Sequence, residues 1–316
     1  MGGSKEPRDK QGADPDAPSR GGLDKSQLDA LRRKIAGRRD EPAAADAKAK
    51  PPASIVFGRD LPRTPPPPPA PALPAGPPVD LAEAVDGEEF EAPHGGRGFL
   101  VRKKVGEMGE TWPLLCEEYR RVLGDPSAAP ARRARELCER APVGPEDVIF
   151  MDVETTGLSS SPVFLIGTMA WEQAEGLVVR QLFARNYAEE RAIVSGFLEL
   201  AAGKELLVSF NGKSFDVPYI RARAAACAVP FTMPIAHLDL LHECRRVWGD
   251  ELPDCRLQTL ETLVCGRRRY SDIPGHAIPD AYHHFVRTAN AAQMVQVLQH
   301  NTLDLLTLAD LITRWP

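Results

Sequence analysis

Four acidic residues stand beside apolar runs in three separate segments of the chain: Asp152, Glu154, Asp216 and Asp304. Asp152 and Glu154 follow the apolar run at residues 148–151, which is typical of a strand buried on both faces. Side chains at positions i and i+2 of a strand point to the same face, so we expect these two carboxylates side by side. Adjacent carboxylates repel each other unless a cation lies between them. The pair therefore indicates a divalent-metal site, with a solvated turn at the end of a strand as the alternative.

Asp216 follows a second short apolar run, which predicts a strand at residues 205–210. Pro218 suits the first turn of a helix, where its missing N–H costs nothing. Asp216 then lies near the positive N-terminal end of that helix. An acid at the end of a strand suits the same metal site, and an ordinary helix N-cap is the alternative.

Asp304 lies in a strongly helical stretch at residues 291–315, four residues after His300. Residues four apart on a helix share a face, so the two side chains are expected to lie together. A solvated helix face is the alternative for this pair. The leucines that surround Asp304 argue instead that this acid lies near the core.

These segments together resemble the DEDD superfamily of 3′-5′ exonucleases and, within it, the YprB-type ribonuclease H-like family. The resemblance extends over most of the chain as blocks in the same order: "DVETTGL", "FNGKSFDVPYIRAR", "LDLLHECRRVW", "CRLQTLETLV", "DIPGHAIPDAY" and "HNTLDLLTLADL". The segment "EAPHGGRGFLVRK" at residues 91–103 also resembles the segment that precedes them in that family. The resemblance implies an α/β ribonuclease H-like fold, in which helices flank a mixed central sheet and the C-terminal part is helical.

The resemblance also implies the roles of the acids. It assigns two divalent cations, Mg²⁺ or Mn²⁺, to four ligands: Asp152, Glu154, Asp216 and Asp304. Glu154 is assigned to catalysis as well, and His300 stands where the family has its general base. The chemistry that needs such a site is hydrolysis of a phosphodiester, in which hard cations held by oxygen ligands stabilise the attacking and departing oxygens.

The spacing of His300 departs from the pattern of the superfamily. One subclass has Tyr four residues before the final acid, and another has His five residues before it, whereas this chain has His four residues before Asp304. A fourth residue lies about 40° around a helix and a fifth about 140°, so the two spacings are not geometrically equivalent. A histidine that bonds to a neighbouring loop is therefore the alternative role for His300.

Four further residues are predicted to contact the substrate: Leu158, Asn211, Lys213 and Phe215. Leu158 follows the glycine of "TTGL", where this fold commonly has a residue that wedges against the terminal base, and a core position is the alternative. Lys213 suits a phosphate contact, with plain exposure as the alternative. Asn211 is expected to hold its loop rather than to bind metal.

Two more acids match the family blocks but stand outside the four-acid motif. Asp239, in "HLDLL", is predicted to anchor a helix or a loop. Asp272 precedes Pro274 and Gly275 and is predicted to be a turn residue. Contact with the substrate is the alternative for both acids.

Composition limits the class of protein. The six cysteines form no Cys-x-x-Cys pair, which argues against a zinc knuckle or a disulfide framework and favours a reducing, cytoplasmic compartment. Neither a signal peptide nor a membrane span is predicted. A net charge of −5 is unusual for a nucleic-acid binder, although net charge is not local charge. Several arginines after Asp216 are expected either to line the path of a strand or to form a solvated face: Arg221, Arg223, Arg245, Arg246, Arg256 and Arg267 to Arg269.

The chain divides into a low-complexity arm and one folded unit. Sixteen of the 30 prolines lie in residues 1–85, which predicts a disordered Pro/Ala-rich arm. A short helix is expected near residues 24–36, and the proline run suits either a stiff spacer or the binding of a protein partner. Residues 86–316 are predicted to form the ribonuclease H-like domain.

Periodicity within the domain predicts a βββαβα order followed by helices. The strands are expected near residues 147–153, 162–171, 176–186 and 205–210, and the first two helices near residues 188–202 and 216–227. The rest is predicted to be mostly helical, including "HLDLLHECRRVWG" and "RLQTLETLVCG". The acids of the first two segments would then meet at the ends of strands, where open α/β sheets bind ligands.

The leading hypothesis for function is a metal-dependent nuclease, acting as a 3′-5′ exonuclease on single-stranded ends. A non-catalytic module of the same fold that binds nucleic acid or protein is the first alternative. A structure-specific endonuclease is the second, because the same metal chemistry serves either polarity. DNA and RNA both stay open as substrates, since no module that reads bases is visible.

Overall fold

The computed structural model describes residues 78–139, 143–157, 161–234 and 236–316. Most of the predicted arm, including the possible helix near residues 24–36, lies outside the described residues. Helix α1 (Leu81–Ala84) begins after Asp80, whose side chain accepts a hydrogen bond from the N–H of Ala82. Leu81 is buried, and the carbonyl of Val79 accepts a hydrogen bond from the N–H of Ala291. The packed unit therefore begins before residue 86, the predicted boundary.

A seven-stranded mixed sheet forms the centre of the domain, in the order β1-β2-β5-β4-β3-β6-β7. Neighbouring strands from β1 to β3 along this order are antiparallel, whereas β3, β6 and β7 are parallel. The strands are β1 (Glu88–Glu91), β2 (Arg97–Lys104), β3 (Val148–Thr155), β4 (Val163–Glu172), β5 (Gly176–Phe183), β6 (Leu206–Ser209) and β7 (Ala236–Asp239). The predicted mixed central sheet is confirmed.

Helices cover both faces of this sheet. Those before the central strands are α2 (Trp112–Gly124) and α3 (Ala129–Cys138), and those between strands are α4 (Glu190–Ala201) and α5 (Asp216–Ala226). The helical C-terminal part follows β7 as α6 (Leu240–Trp248), α7 (Leu257–Leu263), α8 (Ile278–Thr288) and α9 (Ala292–Thr313). No helix in the part of the chain that the structure describes has the length and apolar character needed to cross a bilayer.

Strand β3 shows why its sequence is apolar without interruption. Ile149 and Met151 pack into one apolar core with residues of α4 and α8. Val148 and Phe150 pack into a second core with residues of α2, α6 and the C-terminal half of α9. Because all four side chains are buried, a strand at this position cannot alternate between apolar and polar residues.

The predicted βββαβα order is present as β3-β4-β5-α4-β6-α5, with element ends within three residues of the predicted ones. The helix predicted to include "HLDLL" is wrong at its start, because Ala236–Asp239 pairs in parallel with β6 as an edge strand. The strand ends where Asp239 caps α6 by accepting a hydrogen bond from the N–H of Leu241. Strands β1 and β2 were not predicted, and they extend the opposite edge of the sheet.

Candidate functional site

The two acids of β3 are half-buried and point to one face of the sheet. Burial raises the pKa of Asp152 well above its usual value, and the carboxylates of Asp304, Glu154 and Asp216 raise it further. Burial likewise raises the pKa of Glu154, with added repulsion from Asp304, Asp216 and Asp272. Repulsion of this kind requires proximity, so the fold gathers acids from three distant segments into one cluster.

Asp216 is the first residue of α5, as its position before Pro218 predicted. Burial raises the pKa of Asp216 to about 7, and the charge of Asp239 adds to this. The N–H of Asp216 itself acts in the opposite direction. Burial prevails over the favourable end of the helix, so this carboxylate is held ionised only at a cost in free energy.

These raised pKa values predict that, without cations, the folded chain becomes less stable as the pH rises. Between the unfolded pKa near 4 and about 7, the folded chain binds more protons at these acids than the unfolded chain. The free energy of unfolding should therefore decrease across this window, which urea titrations at pH 5 and pH 8 in EDTA would measure. Asp216→Asn should reduce the decrease, whereas the exposed control Glu117→Gln should retain it. Equal stability at both pH values would contradict the prediction.

Asp239 positions the loop that leads into Asp216. Its buried carboxylate accepts hydrogen bonds from the N–H groups of Asn211 at 2.7 Å and Lys213 at 3.1 Å, besides capping α6. Asn211 has a positive φ of 64°, and a Cβ on Gly212 would lie 2.2 Å from the Oγ of Ser209. The prediction that Asp239 anchors a helix or loop is confirmed, since it does both.

We expect Asp239→Ala to loosen this loop, because three backbone N–H groups, one buried and two part-buried, would lose their acceptor. The cost should be about 2–4 kcal/mol of unfolding free energy, with faster amide exchange at residues 211–216. Hydrogen exchange read by mass spectrometry would measure the second effect. Asp250→Ala, at an exposed position, is the matched control. Unchanged exchange in the loop of Asp239→Ala would contradict the anchoring role.

A buried amide network supports Asp152 across three strands. Asp152 pairs with Gly167 on β4, and Gly167 pairs with Gln181 on β5, so the three residues form one row. Asn301 of α9 lies over this row, and its Nδ2 donates to the carboxylate of Asp152 at 2.8 Å. The Nε2 of Gln181 donates to the Oδ1 of Asn301 at 2.8 Å and to the carbonyl of Leu298 at 2.7 Å. The network ties α9 to β3 and β5, and no pattern in the sequence predicted it.

His300 and Asp304 lie together on α9, as their spacing predicted. The Nε2 of His300 is 3.4 Å from the Oδ2 of Asp304. Its Nδ1 lies 2.9 Å from a carboxylate oxygen of Asp272 in the loop before α8. Asp272 is therefore more than the turn residue that was predicted. The alternative of a histidine bonded to a neighbouring loop also describes this geometry, because one ring nitrogen faces the loop and the other faces the acid.

Arg269 is the main cation at this end of the cluster. Its side chain is almost fully buried and forms ion pairs with Asp304 at 2.5 Å, Glu261 at 2.6 Å and Asp272 at 3.2 Å. Burial lowers the pKa of Arg269, but the carboxylates of Asp304 and Glu261 outweigh burial and hold this pKa above its usual value. The charge of Asp304 is thus partly balanced within the protein.

The residue types in the cluster fit a hard divalent cation, because their ligand atoms are all carboxylate oxygens that carry excess negative charge. Within residues 78–139, 143–157, 161–234 and 236–316, however, no three His, Cys, Asp or Glu side chains form a ready-made metal-ligand group. Asp304 bonds to Arg269, and Asp152 bonds to Asn301 instead. The donor chemistry suits a metal, and these side chains would have to adjust to ligate one.

The predicted substrate contacts fall into two groups. Lys213 and Phe215 are exposed in the loop before α5, where 63% of Phe215 is accessible to solvent. Asn211 contributes its backbone to that loop. Leu158 lies outside the described residues. For these four residues, contact with a substrate stays a prediction.

Several of the arginines expected along the path of a nucleic-acid strand form ion pairs with acids of the protein. The guanidinium of Arg223 pairs with the buried Glu190 at 2.6 Å, and that of Arg246 pairs with Glu243 at 2.8 Å. Arg269 is also engaged, as described above. The Arg223 pair joins α5 to α4, whereas the Arg246 pair lies within α6 and leaves 62% of the arginine side chain exposed. Only part of the arginine set is therefore held inside the fold.

Comparison with known proteins identifies the fold family. The family model RNase_H_2, of the RNase H superfamily, matches residues 149–316, which is more than half of the chain. The chain belongs to the RNase H superfamily. This RNase H-like chain is 33% identical over 170 residues to the uncharacterized protein YprB of Bacillus subtilis (strain 168). The match covers 52% of the chain and 41% of YprB, so the chain spans less than half the length of that relative. The predicted YprB-type RNase H-like domain is confirmed.

Two solved structures resemble part of the chain at low identity. The family B DNA polymerase of Pyrobaculum calidifontis superimposes with a TM-score of 0.39 at 17% identity, over 52% of the chain and 24% of the polymerase. E. coli Exonuclease I in complex with a dT13 oligonucleotide superimposes with a TM-score of 0.33 at 15% identity, over 49% of the chain and 43% of the exonuclease. At these scores the overlap is partial.

Proposed function

We propose that this chain is a metal-dependent nuclease that hydrolyses phosphodiester bonds, acting as a 3′-5′ exonuclease on single-stranded ends. The observation that carries the proposal is the cluster itself. The carboxylates that α5 and α9 contribute raise the pKa of both acids of β3, beside a histidine that contacts Asp272. Such a concentration of buried negative charge costs stability, so a purely structural role would not favour it.

The acids would hold two divalent cations, Mg²⁺ or Mn²⁺, through four carboxylates: Asp152, Glu154, Asp216 and Asp304. Bound cations supply neutralisation of charge at the attacking and departing oxygens of the phosphodiester. The protein contributes positioning, because Asn301 orients Asp152 and the loop anchored by Asp239 orients Asp216. We expect Arg269 to share or release Asp304 when a cation binds.

His300 is the proposed general base. If Nδ1–H donates to Asp272, the lone pair of Nε2 is directed toward the acid cluster and can accept a proton from water. The carboxylate of Asp272 then stabilises the imidazolium that forms. His300 and Asp304 stand four positions apart in the sequence and lie on one face of α9, and the histidine has one ring nitrogen toward Asp304 and the other toward Asp272.

Residues around the acid cluster are proposed to contact the nucleic-acid substrate. Lys213 is exposed and suits a phosphate, and the exposed ring of Phe215 suits a base. Leu158, which follows the glycine of the "TTGL" segment, is proposed to contact the terminal base. Asn211 is proposed to act through its loop.

The deciding experiment is incubation of the full chain with 5′-labelled single-stranded DNA and RNA, in Mg²⁺, Mn²⁺ or EDTA. The expected result is a ladder that shortens from the 3′ end only with a metal, and that disappears in Asp152→Asn. The exposed control Glu117→Gln should retain the activity. Cleavage of a circular single strand would identify an endonuclease instead. Absence of cleavage with every metal would reject hydrolysis.

A nucleic-acid-binding module without hydrolysis is the second candidate. The observation that favours it is the bond between Arg269 and Asp304, which already satisfies one of the four acids. In that case a labelled oligonucleotide would bind and remain intact in Mg²⁺ and in Mn²⁺. Calorimetry with Mn²⁺ separates the candidates independently, because a module needs no metal whereas the nuclease must bind one.

A further inference from the structure

The loop between α7 and α8 turns three side chains inward at residues 267–272. Arg267 donates to the hydroxyl of Thr307 at 3.2 Å, and Arg269 forms its ion pair with Asp304. Asp272 contacts His300. The inward side chains fasten the loop to α9 beside the acid cluster, and the outward positions between them are consequently held in place.

Three exposed residues lie between the inward ones, and two of them, Arg268 and Tyr270, have large side chains. Tyr270 has 87% of its surface accessible, which is the largest exposure among the large hydrophobic side chains of the described residues. Arg269 on its N-terminal side is nearly buried, so this exposure does not come from a loosely attached segment. The ring of Tyr270 is therefore free to contact a ligand from a defined position.

The loop before α5 carries the same combination of side chains. Lys213 and Phe215 are exposed there, while Asp239 fastens the backbone and Asp216 joins the acid cluster. Each of the two loops thus presents one cation and one aromatic ring, next to an inward residue that belongs to the cluster or bonds to it. A cation beside an exposed ring is the combination with which proteins bind single strands without reading their sequence.

We propose that Arg268 and Tyr270 form a binding site for unpaired nucleotides, in which the ring stacks on a base and the guanidinium binds a phosphate. This inference rests on the proposed function, because the acid cluster defines where the strand must pass. It also narrows the substrate class. The bases of a duplex already stack on each other and offer no free face to Tyr270, so single-stranded nucleic acid is bound in preference to duplex.

The test is a binding titration by fluorescence anisotropy, with the full chain carrying Asp152→Asn in Mg²⁺ so that bound strands stay intact. The probes are a labelled single strand, an abasic strand of the same length and a duplex. Tyr270→Ala should weaken binding of the single strand by about fivefold or more and leave the abasic strand unaffected. Tyr270→Trp should restore binding, since stacking needs a ring and no hydroxyl. Arg268→Ala should weaken binding of both strands, because each has phosphates.

Leu114→Ala is the matched control, because it removes an exposed apolar side chain from α2. Full binding of the single strand by Tyr270→Ala, or equal losses on the normal and abasic strands, would overturn the inference. If the same substitution in a chain that retains Asp152 degrades the single strand at the wild-type rate, the proposed nuclease stands and only this site is rejected. Absence of binding to all three probes by the parent chain would reject both proposals.

Discussion

Replacing His300 with alanine should slow hydrolysis of a single strand by about 10²- to 10⁴-fold, which is the usual contribution of a positioned general base. The physical reason is the placement of Nε2 beside Asp304, with Nδ1 held by Asp272. Single-turnover cleavage of a 5′-labelled oligonucleotide in saturating Mg²⁺ would measure the chemical step. His94→Ala, which removes an exposed histidine between β1 and β2, should cleave at the wild-type rate.

A second variant separates proton transfer from simple support of the structure. Asp272→Asn keeps an acceptor for Nδ1–H but removes the charge that stabilises an imidazolium, so we expect a loss of about tenfold or more. The loss should appear in kcat rather than in KM and should change the dependence of the rate on pH. Retention of full activity by His300→Ala would exclude the histidine as the base and favour a role in bonding the loop.

Replacing Gly167 with alanine should destabilise the fold by about 3 kcal/mol or more. A Cβ at this position would lie 2.0 Å from the Oδ1 of Asn301 and 2.6 Å from its Nδ2. Asn301 is fully buried and bonds to Asp152 and Gln181, so it cannot move aside without leaving polar atoms unpaired. Overpacking and lost buried hydrogen bonds each cost about 1–3 kcal/mol. Urea denaturation followed by circular dichroism would measure the change.

Two comparisons test the cause of that loss. Gly106→Ala should have little effect, because a Cβ there meets no atom within 4 Å. The double variant Gly167→Ala with Asn301→Ala removes the clash, so its loss should be smaller than the sum of the two single losses. Simple addition of the two losses would show that the steric contact is not the origin of the effect.

Local patterns in the sequence were sufficient to predict the central strands and helices of the domain. The unbroken apolar run of β3 follows from burial on both faces, and it predicted the strand within two residues of its observed ends. The period of α9 placed His300 and Asp304 on one face. Both are properties of neighbouring residues, which is why periodicity alone could identify them.

Short edge strands were less predictable, because their stability comes from pairing with distant segments. The four residues of β7 precede a strong helical pattern, and only their parallel pairing with β6 makes them a strand. Strands β1 and β2 likewise depend on the antiparallel partner β5. A sequence pattern shows what a segment prefers, whereas the sheet decides which partner it meets.

The sequence by itself determined that acids lie at the end of one strand, at the start of the helix after another strand and within the last helix. These are residue types that suit a site for hard cations. Only the tertiary structure decided which side chains form hydrogen bonds with the residues of the site. Asn301 meets Asp152 across 149 residues of chain, and Asp272 meets His300 across 28. Sequence periodicity does not predict the hydrogen-bond partner of a polar side chain, because that partner depends on how loops and helices pack. The exposure of Tyr270, in the loop at residues 267–272, is likewise set by the contacts of that loop with α9.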